Sequence, residues 1–104
     1  MCSSDLGPAY FFLVMEVLEK AAIKHGIDPA TARLLTLETA YGAAKMALES
    51  GEEPSQLRKQ VTSPGGTTEQ AVQALEAGHI ERIFDEAVVA AMRRARELAD
   101  LFGK

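Results

Sequence analysis

Ser63-Pro64-Gly65-Gly66-Thr67-Thr68 is the segment of this chain whose residue types ask for a chemical explanation. Pro64 stiffens the backbone and the two glycines free it, so the main chain can approach a ligand without Cβ obstruction. The segment leads into a helix start, where unpaired N–H groups and the helix dipole favour an anion. With the hydroxyls of Ser63, Thr67 and Thr68, this composition suits a small carboxylate or phosphate. Pro-Gly-Gly is also an ordinary turn, and Thr67 with Gln70 matches a capping box, so composition alone leaves both readings open. The segment lacks the lysine of a phosphate-binding loop, and no GxGxxG pattern occurs, which argues against a nucleotide site in this chain.

Other reactive residues point to structural roles. His25 and His79 each adjoin a glycine at a helix boundary, where an imidazole meets terminal carbonyls rather than a proton-transfer partner. Cys2 is the single cysteine, so no internal disulfide forms, and two distant histidines give no zinc spacing. Glu16, Glu19 and Glu38 read as exposed residues paired with lysines, and Arg93, Arg94 and Arg96 suit the carbonyl end of a helix or an intersubunit role. Lys45 lies inside a small-residue stretch that gives it no testable assignment.

The elements that hold these residues read as helices throughout. Pro8 opens a helix to about His25, with Gly26 as its left-handed stop; its first half is apolar on almost every face, which a surface helix of a monomer does not tolerate. Asp28-Pro29 caps a second helix, about Pro29 to Glu49, ended by Gly51 and carrying the small residues Ala40, Gly42, Ala43, Ala44 and Ala47. Two short helices, Pro54 to Gln60 and Thr67 to Ala77, flank the glycine turn, with Gly78 closing the second. An amphipathic helix follows from about Ile80 to Phe102, its apolar residues recurring at three- and four-residue steps. Nothing alternates with period two, so the fold class is all-α: a bundle of about five helices, intertwined with a second copy as a dimer.

At 104 residues, 47% hydrophobic and 25% charged, the chain is one globular domain with a modest core that a partner chain would help to complete. A net charge of −4 argues against nucleic acid and anionic membranes as partners. The apolar run Phe11 to Met15 is too short and too soon interrupted by charge to span a bilayer. With the cysteine usage, this gives a cytoplasmic setting. Residues 1–6 read as a leader foreign to the rest: Cys2-Ser3-Ser4-Asp5-Leu6 resembles the translation of a sequencing-adapter oligonucleotide, so a truncated reading frame is expected to begin there. Residues 7–104 form the helical domain.

The stretch 54–76, with Val61-Thr62-Ser63-Pro64-Gly65-Gly66-Thr67-Thr68-Glu69-Gln70-Ala71-Val72 at its centre, resembles the signature of the pyrroline-5-carboxylate reductases. Gly7-Pro8-Ala9-Tyr10, Gly42-Ala43-Ala44-Lys45-Met46 and Gly78 after Leu75-Glu76 resemble that family in the same order, so the likeness runs from about Gly7 to the C-terminus. It implies the C-terminal helical domain of an enzyme that reduces 1-pyrroline-5-carboxylate to L-proline with NADPH or NADH. The cofactor would sit in an N-terminal Rossmann domain that this chain lacks, so no residue here binds cofactor or metal, and the chain alone would be inactive. The resemblance further implies a homodimer through the helices Pro8 to His25 and Pro29 to Glu49. It places the substrate carboxylate, from 1-pyrroline-5-carboxylate or proline, on Ser63, Gly65, Gly66, Thr67 and Thr68, with Thr68 the candidate catalytic residue near the imine nitrogen. Where the family shows a small-residue stretch before Gly7, this chain has Ser3-Ser4-Asp5-Leu6. The competing reading is a standalone helical oligomerisation module without catalysis.

Overall fold

The computed structural model describes residues 7–103, and among them the chain is all-helical, in five α-helices with no strand. The expected leader at residues 1–6, Cys2 included, lies outside the described residues. The helices are α1 (Pro8–Lys24), α2 (Pro29–Ser50), α3 (Pro54–Gln60), α4 (Thr67–Ala77) and α5 (Ile80–Leu101). Each lies within a residue of its expected span, because the punctuation is local. Gly26 is left-handed at φ 107°, and the N–H groups of Gly26 and Ile27 donate to Ile23 and Ala22, two bonds that together terminate α1. Asp28 caps α2 by accepting from the Thr31 N–H at 3.3 Å, Pro29 occupies the first turn, and Gly51 ends the helix at φ 75°.

The chain divides into two compact units at Leu57 and Arg58. In the N-terminal unit α1 packs on α2. The half-buried residues Met15, Glu19 and Ala22 on α1, and the buried or half-buried Ala32, Thr36 and Ala40 on α2, fall at helical steps and mark one stripe on each helix. Ala32, at 1% exposure, is the most enclosed residue described, and its small side chain allows close backbone approach. At the edge of this contact the Arg33 Nε donates to Glu19 Oε2 at 2.7 Å. That hydrogen bond, with the carboxylate's charge, raises the Arg33 pKa, so the guanidinium stays charged. Glu19 therefore pairs across to an arginine rather than with a lysine, whereas Glu16 does pair with Lys20 at 3.1 Å.

In the C-terminal unit α4 packs on α5. The turn between them puts its left-handed residue at His79, φ 65°, while Gly78 keeps an ordinary negative φ. A histidine in that conformation costs on the order of 1 kcal/mol against glycine.

Little of this chain is sealed from water. Ala32 and Leu57 alone are buried among the described hydrophobic residues, while Phe11, Phe12, Leu13, Val17, Leu18 and Tyr41 are each more than half exposed. The core of one copy is thus smaller than the modest one that length and composition suggest. No described helix is long and apolar enough to cross a membrane.

Replacing Asp28 with alanine orphans the Thr31 amide and should lower stability by about 1 kcal/mol. Asp28→Asn should stay close to the parent, with both compared by chemical denaturation at one protein concentration. Equal losses in the two variants would show that the side-chain cap contributes nothing.

Candidate functional site

The turn before α4 is built from its own residues. At the end of α3 the Val61 and Thr62 N–H groups donate to the Arg58 and Lys59 carbonyls, and the Thr62 hydroxyl donates to the Arg58 carbonyl. The chain then reverses over Ser63-Pro64-Gly65-Gly66, where the Gly66 N–H donates to the Ser63 carbonyl at 3.0 Å. Pro64 suits the second position of this turn. Gly65 sits at the third with φ 75°, the left-handed geometry that a type II turn requires there. Gly66 is needed for another reason: a Cβ on it would meet the Ser63 carbonyl oxygen at 3.2 Å and the Ser63 Cβ at 3.4 Å, tighter than packed side chains normally sit.

Gly66 is also the N-cap of α4, with extended backbone and no side-chain cap. The capping box expected from Thr67 and Gln70 therefore does not form: Thr67 is already helical, one position too far along for its hydroxyl to fold back on the helix. Glu69 supplies a different tie, its Oε1 accepting from the Gly65 N–H at 2.7 Å. Its charge stands in the first turn of α4, where the helix dipole favours a carboxylate.

These bonds sort the sequence-derived site residues into two groups. The Gly65 and Gly66 N–H groups are committed within the turn, so both glycines shape the site rather than donate into it. The Thr67, Thr68 and Glu69 N–H groups have no acceptor among the described residues, the first helical acceptor, Gly66, being taken by Gln70. Ser63, Thr67 and Thr68 are exposed, so three amides and three hydroxyls stand together facing water at one end of α4. Chemically this arrangement can hold and orient a small anion. It contains no general base and no nucleophile activated by a neighbour.

The remaining candidates lie apart from this cluster. His79 stands at the far end of α4, about 16 Å along its 11 residues. Lys45 pairs with Glu49 at 3.0 Å and Arg94 with Glu97 at 3.1 Å, each pair on an exposed helix surface. No group of three or more His, Cys, Asp or Glu residues among those described is arranged to hold a metal ion. Glu69 is the site residue that the sequence reading missed; an acidic residue three places beyond a glycine N-cap was its only signal.

Comparison with known proteins gives a consistent picture. The family model described as pyrroline-5-carboxylate reductase dimerisation matches residues 2–98. The pyrroline-5-carboxylate reductase of Pseudomonas aeruginosa is 48% identical over 101 residues, which are 97% of this chain and 37% of that protein. Pyrroline-5-carboxylate reductase 2 of Bacillus subtilis is 43% identical over 92% of this chain and 34% of its own length. Among solved structures, a pyrroline-5-carboxylate reductase from Coxiella burnetii matches 88% of this chain and 34% of its own with a TM-score of 0.85 and 54% identity. The Plasmodium falciparum pyrroline carboxylate reductase with NADP bound matches 88% of this chain and 37% of its own, with a TM-score of 0.84 and 32% identity. The chain thus spans about a third of the length of the relatives it matches.

Removing the Glu69 carboxylate as Glu69→Ala should free the Gly65 amide to exchange with solvent roughly fivefold faster, the equivalent of about 1 kcal/mol for one hydrogen bond. The Gly66 amide, held by Ser63, should change less. Hydrogen exchange followed by NMR reads both, and an unaltered Gly65 rate would show that Glu69 does not hold the turn.

Proposed function

Since this chain belongs to the pyrroline-5-carboxylate reductase family, as its dimerisation domain, we propose that it pairs two copies of the enzyme and grips the substrate carboxylate during formation of L-proline. The observation that carries this reading is the set of open amides of Thr67, Thr68 and Glu69 beside the free hydroxyls of Ser63, Thr67 and Thr68. Donors preset at a helix start hold a carboxylate with little reorganisation. In the proposed complex the carboxylate of 1-pyrroline-5-carboxylate accepts from the Thr67 and Thr68 amides and the Ser63 hydroxyl, on the turn that Gly65 and Gly66 shape. The Thr68 hydroxyl stands near the ring nitrogen.

Reduction adds a hydride to the imine carbon and a proton to the nitrogen, giving proline. The hydride comes from NADPH or NADH, held by the nucleotide-binding part of the enzyme. This chain's contribution is positioning: fixing the carboxylate fixes the ring, and so aims the imine carbon. On this reading the 104 residues bind substrate or proline but do not turn it over by themselves, and the protein works in the cytoplasm.

The homodimer is proposed to form through α1 and α2. Phe11, Phe12, Leu13, Val17 and Leu18 of α1 are exposed in one copy and favour that role.

Two measurements test the proposal. Proline titrated into the labelled chain should shift the Ser63 to Thr68 amides, and Thr68→Val, which keeps the shape and loses the hydroxyl, should weaken binding roughly tenfold, as expected for one hydrogen bond to a charged group. A chain that dimerises yet ignores proline would be a pairing module alone. Phe12→Glu should dissociate or unfold the dimer in sedimentation, because it would bury an unpaired charge. A stable, soluble dimer of that variant would remove α1 from the interface.

A further inference from the structure

Glu69 brings to the turn a charge that the carboxylate reading leaves unused. The residue is half-buried, and its Oε1 accepts from the Gly65 N–H at 2.7 Å. No lysine or arginine among the described residues forms an ion pair with it. Arg58, a few residues before the turn, lines a groove with Glu76 and His79 at the far end of α4. The open amides of Thr67, Thr68 and Glu69 lie close to the Glu69 charge, and one of them is that residue's own. The Thr67 nitrogen is two residues from that of Gly65, at most about 7 Å along an extended chain, so the carboxylate stands within about 10 Å of it.

The balance of charge at this helix start is therefore negative. The dipole of α4 supplies about half a positive unit charge at its N-terminus, less than the full negative charge of Glu69. Open N–H groups hydrogen-bond any carboxylate, but a bare anion meets repulsion here, whereas a carboxylate that carries its own positive charge does not. In proline that charge lies on the ring nitrogen, beside the carbon that bears the carboxylate. We propose that Glu69 determines specificity at the turn, selecting zwitterions, whose cationic nitrogen offsets its charge, against bare carboxylates of the same shape. This inference rests on the carboxylate reading above and adds the residue that chooses among carboxylates. Repulsion between unit charges about 8 Å apart in water changes binding by roughly two- to threefold.

The test titrates two ligands into the intact 104-residue chain and its Glu69→Gln variant: L-proline, and cyclopentanecarboxylate, the same ring with carbon in place of nitrogen. Shifts of the Ser63 to Thr68 amides give each Kd. Glutamine removes the charge and keeps an oxygen to accept from Gly65, which the Gly65 exchange rate verifies. The preference for proline, the Kd of cyclopentanecarboxylate over that of proline, should fall at least two- to threefold in the variant. Raising the ionic strength to about 1 M, where the Debye length is about 3 Å, should reduce the preference in the parent and leave the variant's unchanged. A purely structural role for Glu69 would weaken both ligands alike and give no such salt dependence. An unaltered preference in the variant, or one in the parent that salt does not reduce, overturns the inference while leaving the carboxylate reading standing. A parent chain that binds neither ligand overturns both.

Discussion

Apolar surface that one copy cannot keep from water is the constraint on which this structure turns. A chain that is 47% hydrophobic folds into five helices and seals only Ala32 and Leu57 among its described hydrophobic residues. Apolar area withdrawn from water stabilises by about 25 cal/mol for each Å², so the side chains left open hold a reserve of stabilisation that one copy does not use. Exposed patches of this size on a well-formed helical scaffold mark interaction faces. The helices themselves do not depend on that reserve for their boundaries, which caps and glycines set locally. Their packing does, since amphipathic helices in proteins gain most of their stability from tertiary contact.

The turn before α4 follows a different logic. It draws its shape from hydrogen bonds among near neighbours: Gly66 to Ser63, and Gly65 to Glu69. A turn built this way holds its shape by its own bonds. The bonds that set it use up the two glycine amides and leave the next three without an acceptor among the described residues. Pairing surface and turn share a chain but not a cause: one reflects unburied area, the other short-range polar geometry.

Much of this was legible in the residues, for physical reasons that can be named. Pro8, Asp28-Pro29, Pro54 and the glycines at 26 and 51 act within a turn of themselves, so helix bounds could be read from them without knowing the fold. The glycine turn stood out because Pro-Gly-Gly lies among the hydroxyls of Ser63, Thr67 and Thr68 at a helix start, although the same residues also make an ordinary turn. What escaped was whatever depends on conformation in three dimensions. Thr67 and Gln70 have the spacing of a capping box, but the helix begins one residue earlier than that box requires, and Glu69 takes the tie instead. The Glu19 and Arg33 pair joins residues 14 apart across a helix turn, beyond the reach of any periodic pattern. His79 carries the left-handed geometry that its neighbour Gly78 would have adopted more easily, and no rule of composition assigns it there.

Ala32 bears on how this scaffold tolerates change. The most enclosed point of the described chain is occupied by a residue with a single methyl to lose, so evolutionary drift there has almost no room to hollow the interior. Its vulnerability runs in the opposite direction. Any larger side chain would wedge the α1–α2 hairpin apart and tilt the faces it offers outward, making one alanine a gauge of the angle at which the hairpin meets its surroundings.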